Sequence, residues 1–299
     1  MNMALSSVEQ GGVSRIVNAL TVDVEDYFQV EAFKDAIDPA TWDRWPARVV
    51  ENTGRVLALL NAANIQGTFF VLGWVAERFP EIVHRITAEG HEVASHGYAH
   101  RRAGGQTKAE FRDDIRRAKA VLEGLCNGRI RGYRAPTFSI SPADRWAYEI
   151  LVAEGYEYSS SIYPISHDLY GTPHAPRRPF RPLDDEAFLE VPLATVRLLN
   201  KNRPCAGGGY FRLLPYAISQ WSIRRLNNSD QMPCVFYCHP WEFDPEQPRV
   251  PGISLKSRVR HYTNLGAMEH RVNRLVRDFA WGRMDEVFLG IGHAAGSQI

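Results

Sequence analysis

Residues 16–26 read IVNALTVDVED, an apolar and β-branched run that ends in three carboxylates. Such a run predicts a buried strand, and shorter apolar runs at 67–72 (GTFFVL) and 91–95 (HEVAS) predict two more. Amphipathic helical patterns lie between them, at 49–64 and 80–89. Strands that alternate with helices through short connections are typical of a parallel sheet with helices outside.

The same alternation continues through the rest of the chain. It predicts helices at 108–125 and 146–154, strands at 189–191 and 234–238, and a polar helical stretch at 266–283. We therefore predict an α/β fold, with the parallel sheet either open or curled into a barrel.

The chain divides into three predicted segments. Residues 1–18 are polar, contain two adjacent glycines and are interpreted as a flexible leader. Residues 19–244 form the predicted main domain. Residues 245–299 begin with closely spaced prolines and continue as an Arg-rich helical stretch, which we interpret as a C-terminal extension packed on the main domain.

The charges of the chain are balanced, with 35 Lys and Arg residues against 34 Asp and Glu residues. Because nucleic acid binding depends on clustered basic residues, we expect no nucleic acid partner. No apolar stretch approaches the roughly 20 residues that span a bilayer, so we expect no transmembrane segment. The N-terminal sequence lacks the pattern of a signal peptide, and the four cysteines form no CxxC pair, so we expect reduced thiols in a cytoplasmic protein.

Two histidines four residues apart, His96 and His100, follow the predicted strand at 91–95. If this segment forms a helical turn, both imidazoles lie on one face and can bind one zinc-type ion. An isolated pair with this spacing is more often a surface residue and a hydrogen-bonded turn residue. Its position after a strand, where α/β proteins build their sites, favours the metal-binding interpretation.

Three carboxylates, Asp23, Glu25 and Asp26, lie at the end of the first predicted strand. Because side chains alternate along a strand, Asp23 and Glu25 should point the same way. Closely spaced carboxylates repel one another, and a bound cation relieves that repulsion. The alternative is a helix N-terminus, where the helix dipole favours acidic residues.

Two further polar residues follow strand-like segments. Arg134 comes after residues 131–133, and it can hold a carboxylate through paired hydrogen bonds. His239 follows the apolar run at 235–238 and is suited to act as a general acid. Since all these polar clusters lie at the ends of strands, we predict that they meet in the site of a metal-dependent hydrolase.

In chain order, DVED at 23–26, HGYAH at 96–100, RAP at 134–136 and CHPW at 238–241 resemble the motifs of the NodB-homology polysaccharide deacetylases. Members of this family remove N-acetyl or O-acetyl groups from glycans. The resemblance covers roughly residues 20–244. It implies a distorted (β/α)7-type barrel and a divalent metal, usually Zn²⁺ and sometimes Co²⁺ or Ni²⁺.

Longer stretches are similar to a narrower subgroup, which is encoded beside exopolysaccharide loci and the exosortase (PEP-CTERM) sorting system. These stretches are DVEDYFQVEAF (23–33), GTFFVLGWVAERFP (67–80), GGGYFRLLPYA (207–217) and KSRVRHYTNL (256–265). This similarity implies a substrate among the N-acetylated sugars of an exopolysaccharide or its precursor. Since we expect no export signal, we expect this glycan partner to be met at the inner face of the membrane.

The resemblance also implies roles for individual residues. Asp23 matches the catalytic base, Arg134 the residue that orients it, and His239 the acid that protonates the leaving amine. His96 and His100 match the two metal-binding histidines. The backbone N–H of Thr137 falls where the family places an oxyanion donor. Pro136, Tyr210 and Trp241 are further candidates for contacts to the substrate, and the alternative for the two aromatic residues is ordinary core packing.

Two positions depart from the family pattern. The usual second aspartate, which is a metal ligand, is Val24 here, so the third ligand is Glu25 or Asp26. Strand alternation favours Glu25, whereas a turn at Val24 would favour Asp26. The tyrosine that commonly follows the Arg-x-Pro motif is Thr137, which retains a backbone donor but loses a side-chain contact to the sugar.

Two other functions are compatible with the same scaffold. Some relatives hydrolyse small cyclic amides without a metal, but the presence of both His96 and His100 argues against a metal-free site. The second alternative is a non-catalytic glycan-binding protein, which would need none of Asp23, Arg134 and His239. We therefore predict a hydrolase that acts on the linear amides of N-acetylated sugars.

Overall fold

The structure is a computed structural model, and it describes residues 7–10, 13–168, 170–183 and 187–290. Its strands are β1 Ser7–Gln10, β2 Val13–Val24, β3 Thr68–Val71, β4 Glu92–Ser95, β5 Gly132–Tyr133, β6 Tyr158–Ser159, β7 Leu189–Glu190, β8 Thr195–Leu198, β9 Lys201–Pro204, β10 Val235–Cys238 and β11 Ala280–Gly282. Its α-helices are α1 Val49–Ala62, α2 Gly73–Arg78, α3 Pro80–Ala88, α4 Lys108–Cys126, α5 Trp146–Ala153, α6 Gly208–Leu213, α7 Tyr216–Asn228, α8 Leu255–Tyr262, α9 Met268–Asp278 and α10 Met284–Leu289.

Strand β2 is the centre of the main sheet. It pairs in parallel with β3, β10 and β11, and antiparallel with β1. From β3 the sheet continues in parallel through β4, β5 and β6 to β7. The parallel strands in the order β10-β2-β3-β4-β5-β6-β7 form a curled half-barrel, which confirms the predicted distorted (β/α)7-type α/β fold.

Local sequence explains why these elements form. All four residues of β3 are buried, as expected for a parallel strand that is covered on both faces. Helix α4 begins with a capping box between Thr107 and Glu110, and ends at Asn127, which has a left-handed φ of 49°. One face of α4 packs on the sheet through buried side chains at helical spacing, namely Phe111, Ile115, Ala118 and Leu122.

The ends of the main domain differ from the sequence-based prediction. Residues 13–18 belong to β2 and not to a flexible leader, because β1 and β11 provide hydrogen-bonding partners for this part of the strand. Residues 1–6 and 11–12 of the predicted leader lie outside the described residues.

The C-terminal part of the chain joins the same sheet. Within the predicted extension 245–299, β11 pairs with β2, and residues 291–299 lie outside the described residues. The helix predicted at 266–283 is shorter, because α9 ends at Asp278 and the chain then enters β11. The free edge of β2 favours a strand there, and the local helical pattern does not reveal that tertiary contact.

A second, two-stranded sheet is absent from the sequence-based prediction. It is the antiparallel hairpin β8–β9, in which Arg197 pairs with Asn202 and Leu198 pairs with Lys201. The polar sequence of β9, KNRP, has no strand signal of its own. No helix within the described ranges is long and apolar enough to cross a membrane.

Candidate active site

The carboxyl ends of the parallel strands meet at one side of the sheet, and the predicted site residues lie there. Asp23 is near the end of β2, His96 follows β4, Arg134 follows β5 and His239 follows β10. The side chains that surround a cavity of about 370 Å³ include Asp23, Glu25, His96, His100, Thr137, Tyr210, His239 and Trp241. A cavity of this size is typical of small-molecule sites.

Glu25, His96 and His100 form a compact cluster, here named the donor group. Their ligand atoms all lie within 4.8 Å of one another. Nε2 of His100 is 2.7 Å from Oε2 of Glu25. Within the described part of the chain, this buried Oε2 nevertheless has no well-directed hydrogen-bond donor. Two imidazole nitrogens and one carboxylate oxygen match the ligands of catalytic zinc sites, which leave a coordination position open.

A backbone carbonyl fixes the orientation of His96. Nδ1 of His96 is 2.9 Å from the carbonyl oxygen of Arg134, so we assign the ring proton to Nδ1. This tautomer leaves the lone pair on Nε2, which is the usual arrangement of a metal-binding histidine. Burial lowers the pKa of His96 to about 4, so the ring is neutral at physiological pH, as a metal ligand must be.

The two histidines lie on a loop and not on the helical turn considered from their spacing. Gly97 and His100 have positive φ angles of 75° and 51°, and the ring centroids of His96 and His100 are 5.4 Å apart. The Asp114 carboxylate on α4 accepts the N–H of Tyr98 at 2.8 Å and that of the next residue at 3.2 Å. A loop anchored by α4 therefore brings the imidazoles together.

Asp26 is not part of the donor group, which corrects its assignment as a possible ligand. Its Oδ1 accepts the N–H of Tyr27 at 2.8 Å, and its Oδ2 accepts those of Arg48 and Val49 at 2.7 and 2.9 Å. Because α1 begins at Val49, Asp26 satisfies backbone donors at the start of that helix. The acidic helix-capping role considered for these carboxylates therefore belongs to Asp26.

A buried arginine fixes Asp23. Nη1 of Arg134 donates to Oδ1 of Asp23 at 2.6 Å and to Oγ1 of Thr21 at 2.8 Å. Its Nε and Nη2 donate to the carbonyl and hydroxyl oxygens of Ser160 at 3.1 and 3.0 Å. All three guanidinium nitrogens are thus bound in a fully buried side chain, which fixes the direction of the Asp23 carboxylate.

His239 lies between two carboxylates. Its Nε2 is 3.7 Å from Oε1 of Glu25, and its Nδ1 is 3.3 Å from Oε2 of Glu242. Nε of Arg212 donates to Oε1 of Glu242 at 2.8 Å. Burial disfavours the charged imidazole, but the hydrogen bond to Glu242 and the charge of Glu25 outweigh it and raise the pKa of His239 to about 9.

Trp241 packs between two imidazole rings. Its ring centroid is 5.0 Å from that of His239 and 4.1 Å from that of His261, with interplanar angles of 18° and 13°. Its indole N–H donates to Oε1 of Glu25 at 3.2 Å. Trp241 is only 6% exposed, so it offers little surface on which a sugar could stack. Its contacts instead hold Glu25 and His239 in position.

The segment after Arg134 has an unusual backbone. Thr137 has φ 59° and ψ 25°, and Phe138 has φ 48°. Left-handed conformations cost about 1–2 kcal/mol for residues with a side chain, and such strain clusters at functional sites. Thr137 and Tyr210 form part of the cavity wall, whereas Pro136 is buried and is not among the residues that line the cavity.

This geometry can be compared with known proteins. Residues 39–155 match the family model of polysaccharide deacetylases, and residues 160–289 match that of DUF3473, a domain of unknown function. Residues 39–155 are thus similar to the polysaccharide deacetylases.

Curated proteins resemble the chain over part of their length. The chain is 38% identical over 93 residues to a peptidoglycan-N-acetylglucosamine deacetylase of Bacillus cereus, covering 31% of this chain and 32% of that protein. It is 35% identical over 99 residues to a chitooligosaccharide deacetylase of Bradyrhizobium, covering 33% and 43%. The chain thus matches less than half of the length of either relative.

Solved structures resemble nearly the whole chain. A Mycobacterium smegmatis chain assigned to the polysaccharide deacetylases superimposes with a TM-score of 0.61 and 20% identity, covering 95% of this chain and 93% of that one. A carbohydrate esterase family 4 pseudoenzyme from Bacillus anthracis gives a TM-score of 0.50 and 12% identity, covering 95% and 69%. At these identities the similarity shows the fold alone.

The candidate site extends beyond the residues that match the polysaccharide deacetylase model. Asp23 and Glu25 precede residue 39, where that match begins, and His239 lies in the DUF3473 region. Strand β2 and both matched regions therefore contribute side chains to one cavity.

Several residues that support the candidate site were not predicted from the sequence. Glu242 follows His239 by three residues in a capping box, and that spacing is a local signal that could have identified it. Asp114, Arg212 and His261 offer no such signal, because each meets the site only through tertiary contacts.

Proposed function

We propose that this protein is a metal-dependent deacetylase that removes acetyl groups from N-acetylated sugars of an exopolysaccharide or its precursor. One observation carries the proposal: the donor group, the Asp23–Arg134 pair and His239 meet at a single cavity. This combination unites a metal-type cluster, a fixed carboxylate and an imidazole, which are the groups that hydrolysis of an amide requires.

The donor group is chemically suited to a divalent ion. Oε2 of Glu25 is buried without a well-directed donor in the described chain, and neutral His96 presents Nε2. When bound, Zn²⁺, Co²⁺ or Ni²⁺ would supply Lewis-acid polarisation of the acetyl carbonyl and would increase the acidity of water.

Asp23 is placed to accept the proton of the attacking water. Arg134 holds Oδ1 of Asp23 at 2.6 Å, so the carboxylate keeps one direction during the reaction. A positioned base contributes a rate factor of roughly 10²–10⁴. Arg134 is itself a positioning residue, since it acts through Asp23.

His239 is placed to donate a proton to the departing amine. Glu242 holds Nδ1 of His239, and Nε2 is the nitrogen that lies near Glu25. The backbone N–H of Thr137 is the proposed donor to the developing oxyanion, and one well-placed donor of this kind is worth about 3–4 kcal/mol. The products are acetate and a free amino group on the sugar.

The substrate class in this proposal is supported by similarity. The relatives from Bacillus and Bradyrhizobium are a peptidoglycan and a chitooligosaccharide deacetylase. The stretches at 23–33, 67–80, 207–217 and 256–265 favour an exopolysaccharide. The four cysteines are free thiols, which supports a location in the reducing cytoplasm, at the inner face of the membrane.

An acetate-release assay on N-acetylglucosamine oligomers, joined to metal analysis, tests the proposal. We expect a chelator to abolish acetate release, and added Zn²⁺ to restore it, while circular dichroism shows an unchanged fold. Asp23→Asn should lose activity and keep its metal. Full activity of the metal-free protein would refute the mechanism.

The same assay separates the two alternatives. Metal-loaded protein that releases no acetate from any N-acetylated glycan but opens a cyclic amide would be a small-amide hydrolase. Protein that binds glycans without hydrolysis would resemble the Bacillus anthracis pseudoenzyme, which shares the fold.

A further inference from the structure

A second, larger cleft lies beside the catalytic cavity, in the DUF3473 region. It has a volume of about 1150 Å³ and shares the wall residue Tyr210 with the catalytic cavity. One side is the loop at 173–178, and the other is the β8–β9 hairpin. A chain that occupies the catalytic cavity can therefore continue past Tyr210 into this cleft.

The charge of this cleft is strongly one-sided, and we name it the basic cleft. Only one carboxylate, that of Asp230, lies among its described lining residues. Its cationic lining residues are Arg177, Arg178, Arg197, Lys201 and Arg203. Since the whole chain carries a formal net charge of only +1, this positive charge is concentrated locally.

Asp230 neutralises only one of these cations. Nη2 of Arg177 donates to Oδ2 of Asp230 at 2.6 Å and to the carbonyl oxygen of Thr195 at 2.5 Å. Arg178 donates to the carbonyl oxygens of Asp230 and Gln231. Arg177 and Arg178 therefore tie the loop to the hairpin and to the end of α7, and they build one wall of the cleft.

The hairpin cations have no such role in the fold. Arg197, Lys201 and Arg203 are exposed, and none forms an ion pair with a described carboxylate. They lie within seven residues on two paired strands, and side-chain alternation puts Lys201 and Arg203 on the same face of the hairpin. Basic side chains without partners along a polar cleft are suited to bind oxyanions.

We propose that the basic cleft binds oxyanions of the substrate chain, so that the preferred substrate is an anionic N-acetylated glycan. This inference rests on the proposed deacetylase function, and it adds that the substrate is negatively charged. The oxyanion can be a sugar carboxylate within an acidic polysaccharide or the pyrophosphate of a precursor. Both present the same chemistry to guanidinium and ammonium groups.

The test compares the triple variant R197Q/K201Q/R203Q with a matched control, K108Q/R129Q/R277Q. The control removes the same number of exposed cations outside the cleft lining. Metal-loaded full-length protein is titrated with three fluorescently labelled probes of equal length. They are a neutral N-acetylglucosamine oligomer, an oligomer that alternates N-acetylglucosamine with glucuronic acid, and a neutral oligomer with a terminal pyrophosphate.

We expect the wild-type protein to bind at least one anionic probe about tenfold more tightly than the neutral probe, with an advantage that declines as salt increases. The triple variant should bind the anionic and neutral probes with similar affinity, and the control should keep the preference of the wild type. The anionic probe whose binding weakens in the triple variant identifies the source of the oxyanion. Because the readout is binding, it remains informative even if no probe is deacetylated.

Three results would overturn the proposal. In the first, wild-type protein does not discriminate between neutral and anionic probes. In the second, the control loses as much selectivity as the triple variant, which indicates a general charge effect. In the third, the triple variant is released from vesicles of anionic lipid while its affinity for every glycan probe is unchanged, which assigns the cations to a membrane surface.

Discussion

Two neighbouring carboxylates, Glu25 and Asp26, have different partners because the chain leaves β2 just before them. Glu25 faces the same cavity as Asp23 and reaches the histidines. Asp26 begins the turn away from the strand and caps α1. Two adjacent residues thus have different roles: Glu25 belongs to the donor group, and Asp26 caps a helix.

This difference predicts opposite results for two alanine variants. Glu25→Ala should lose bound metal and retain most of its stability. Asp26→Ala should retain metal, but its free energy of unfolding should fall by about 1–3 kcal/mol, because three backbone N–H groups lose their acceptor. Metal content by mass spectrometry and urea unfolding measure the two effects. Loss of metal from Asp26→Ala alone would contradict the assignment.

At the scale of elements, helix α4 supports the metal-type loop although it contributes no residue to the donor group. Asp114 on α4 accepts two backbone N–H groups of the segment between His96 and His100. Gly97 is required beside it, because a Cβ there would come within 2.8 Å of Oδ2 of Asp114. The spacing of the histidines therefore depends on a helix that follows them in the chain.

Asp114→Ala should weaken Zn²⁺ binding by about 10- to 100-fold, as is typical when support behind a metal ligand is removed. The neighbouring exposed residue provides the control, since Asp113→Ala should bind Zn²⁺ like the wild type. Competition with a chromogenic chelator measures both affinities. Equal affinities in the two variants would show that the loop keeps its shape without α4.

Arg212 connects α6 to the active site and to the end of α8. It pairs with Glu242 through Nε, and its Nη1 and Nη2 donate to carbonyl oxygens of residues 260–263. Arg212→Met should reduce the free energy of unfolding by about 3–5 kcal/mol, because it removes the guanidinium beside the buried Glu242 charge and leaves His239 as the cationic partner of that carboxylate. The double variant R212M/E242Q should recover part of that loss in urea unfolding. A double variant no more stable than Arg212→Met would refute the charge explanation.

These elements show why the sequence predicts part of the site and not the rest. Asp23, His96, Arg134 and His239 each follow a strand-like run, and the alternation of strands and helices is enough to place them at one edge. The Arg212–Glu242 contact spans 30 residues and depends on how α6 packs, which no local pattern encodes. Residues 96–100 form a loop, and not the helical turn considered from the sequence, because Asp114 and a positive φ at Gly97 stabilise it.

At the scale of the whole molecule, a buried carboxylate links several elements at the amino ends of the strands, opposite the catalytic cavity. Glu92, at the start of β4, accepts the hydroxyls of Thr68 and Tyr158 at 2.6 and 2.9 Å. It also accepts the N–H of Asp285 in α10 at 3.1 Å. Burial and the charge of Asp285 raise the pKa of Glu92 from 4.5 to about 8.

This pKa predicts a stability that declines as pH rises. Between pH 4.5 and about 8, folded Glu92 holds a proton that the unfolded chain has released, so the free energy of unfolding falls with pH across that window. The contribution of this group is at most about 1.4 kcal/mol per pH unit. Urea unfolding at pH 5, 6, 7 and 8 should show a flatter profile for Glu92→Gln than for the wild type. The exposed Glu81→Gln is the control, and an unchanged slope in Glu92→Gln would contradict the prediction.

The shared active site has a consequence for how this gene can be inherited. The two matched regions meet between residues 155 and 160, and this junction separates His96 and Arg134 from His239. A recombination event at the junction would join the proposed base and the donor group from one ancestor to the proposed proton donor, Glu242 and Arg212 from another. In such a hybrid, the contacts between the two regions would join side chains that had not evolved together. The two regions are therefore expected to descend as one unit, although their family models divide them.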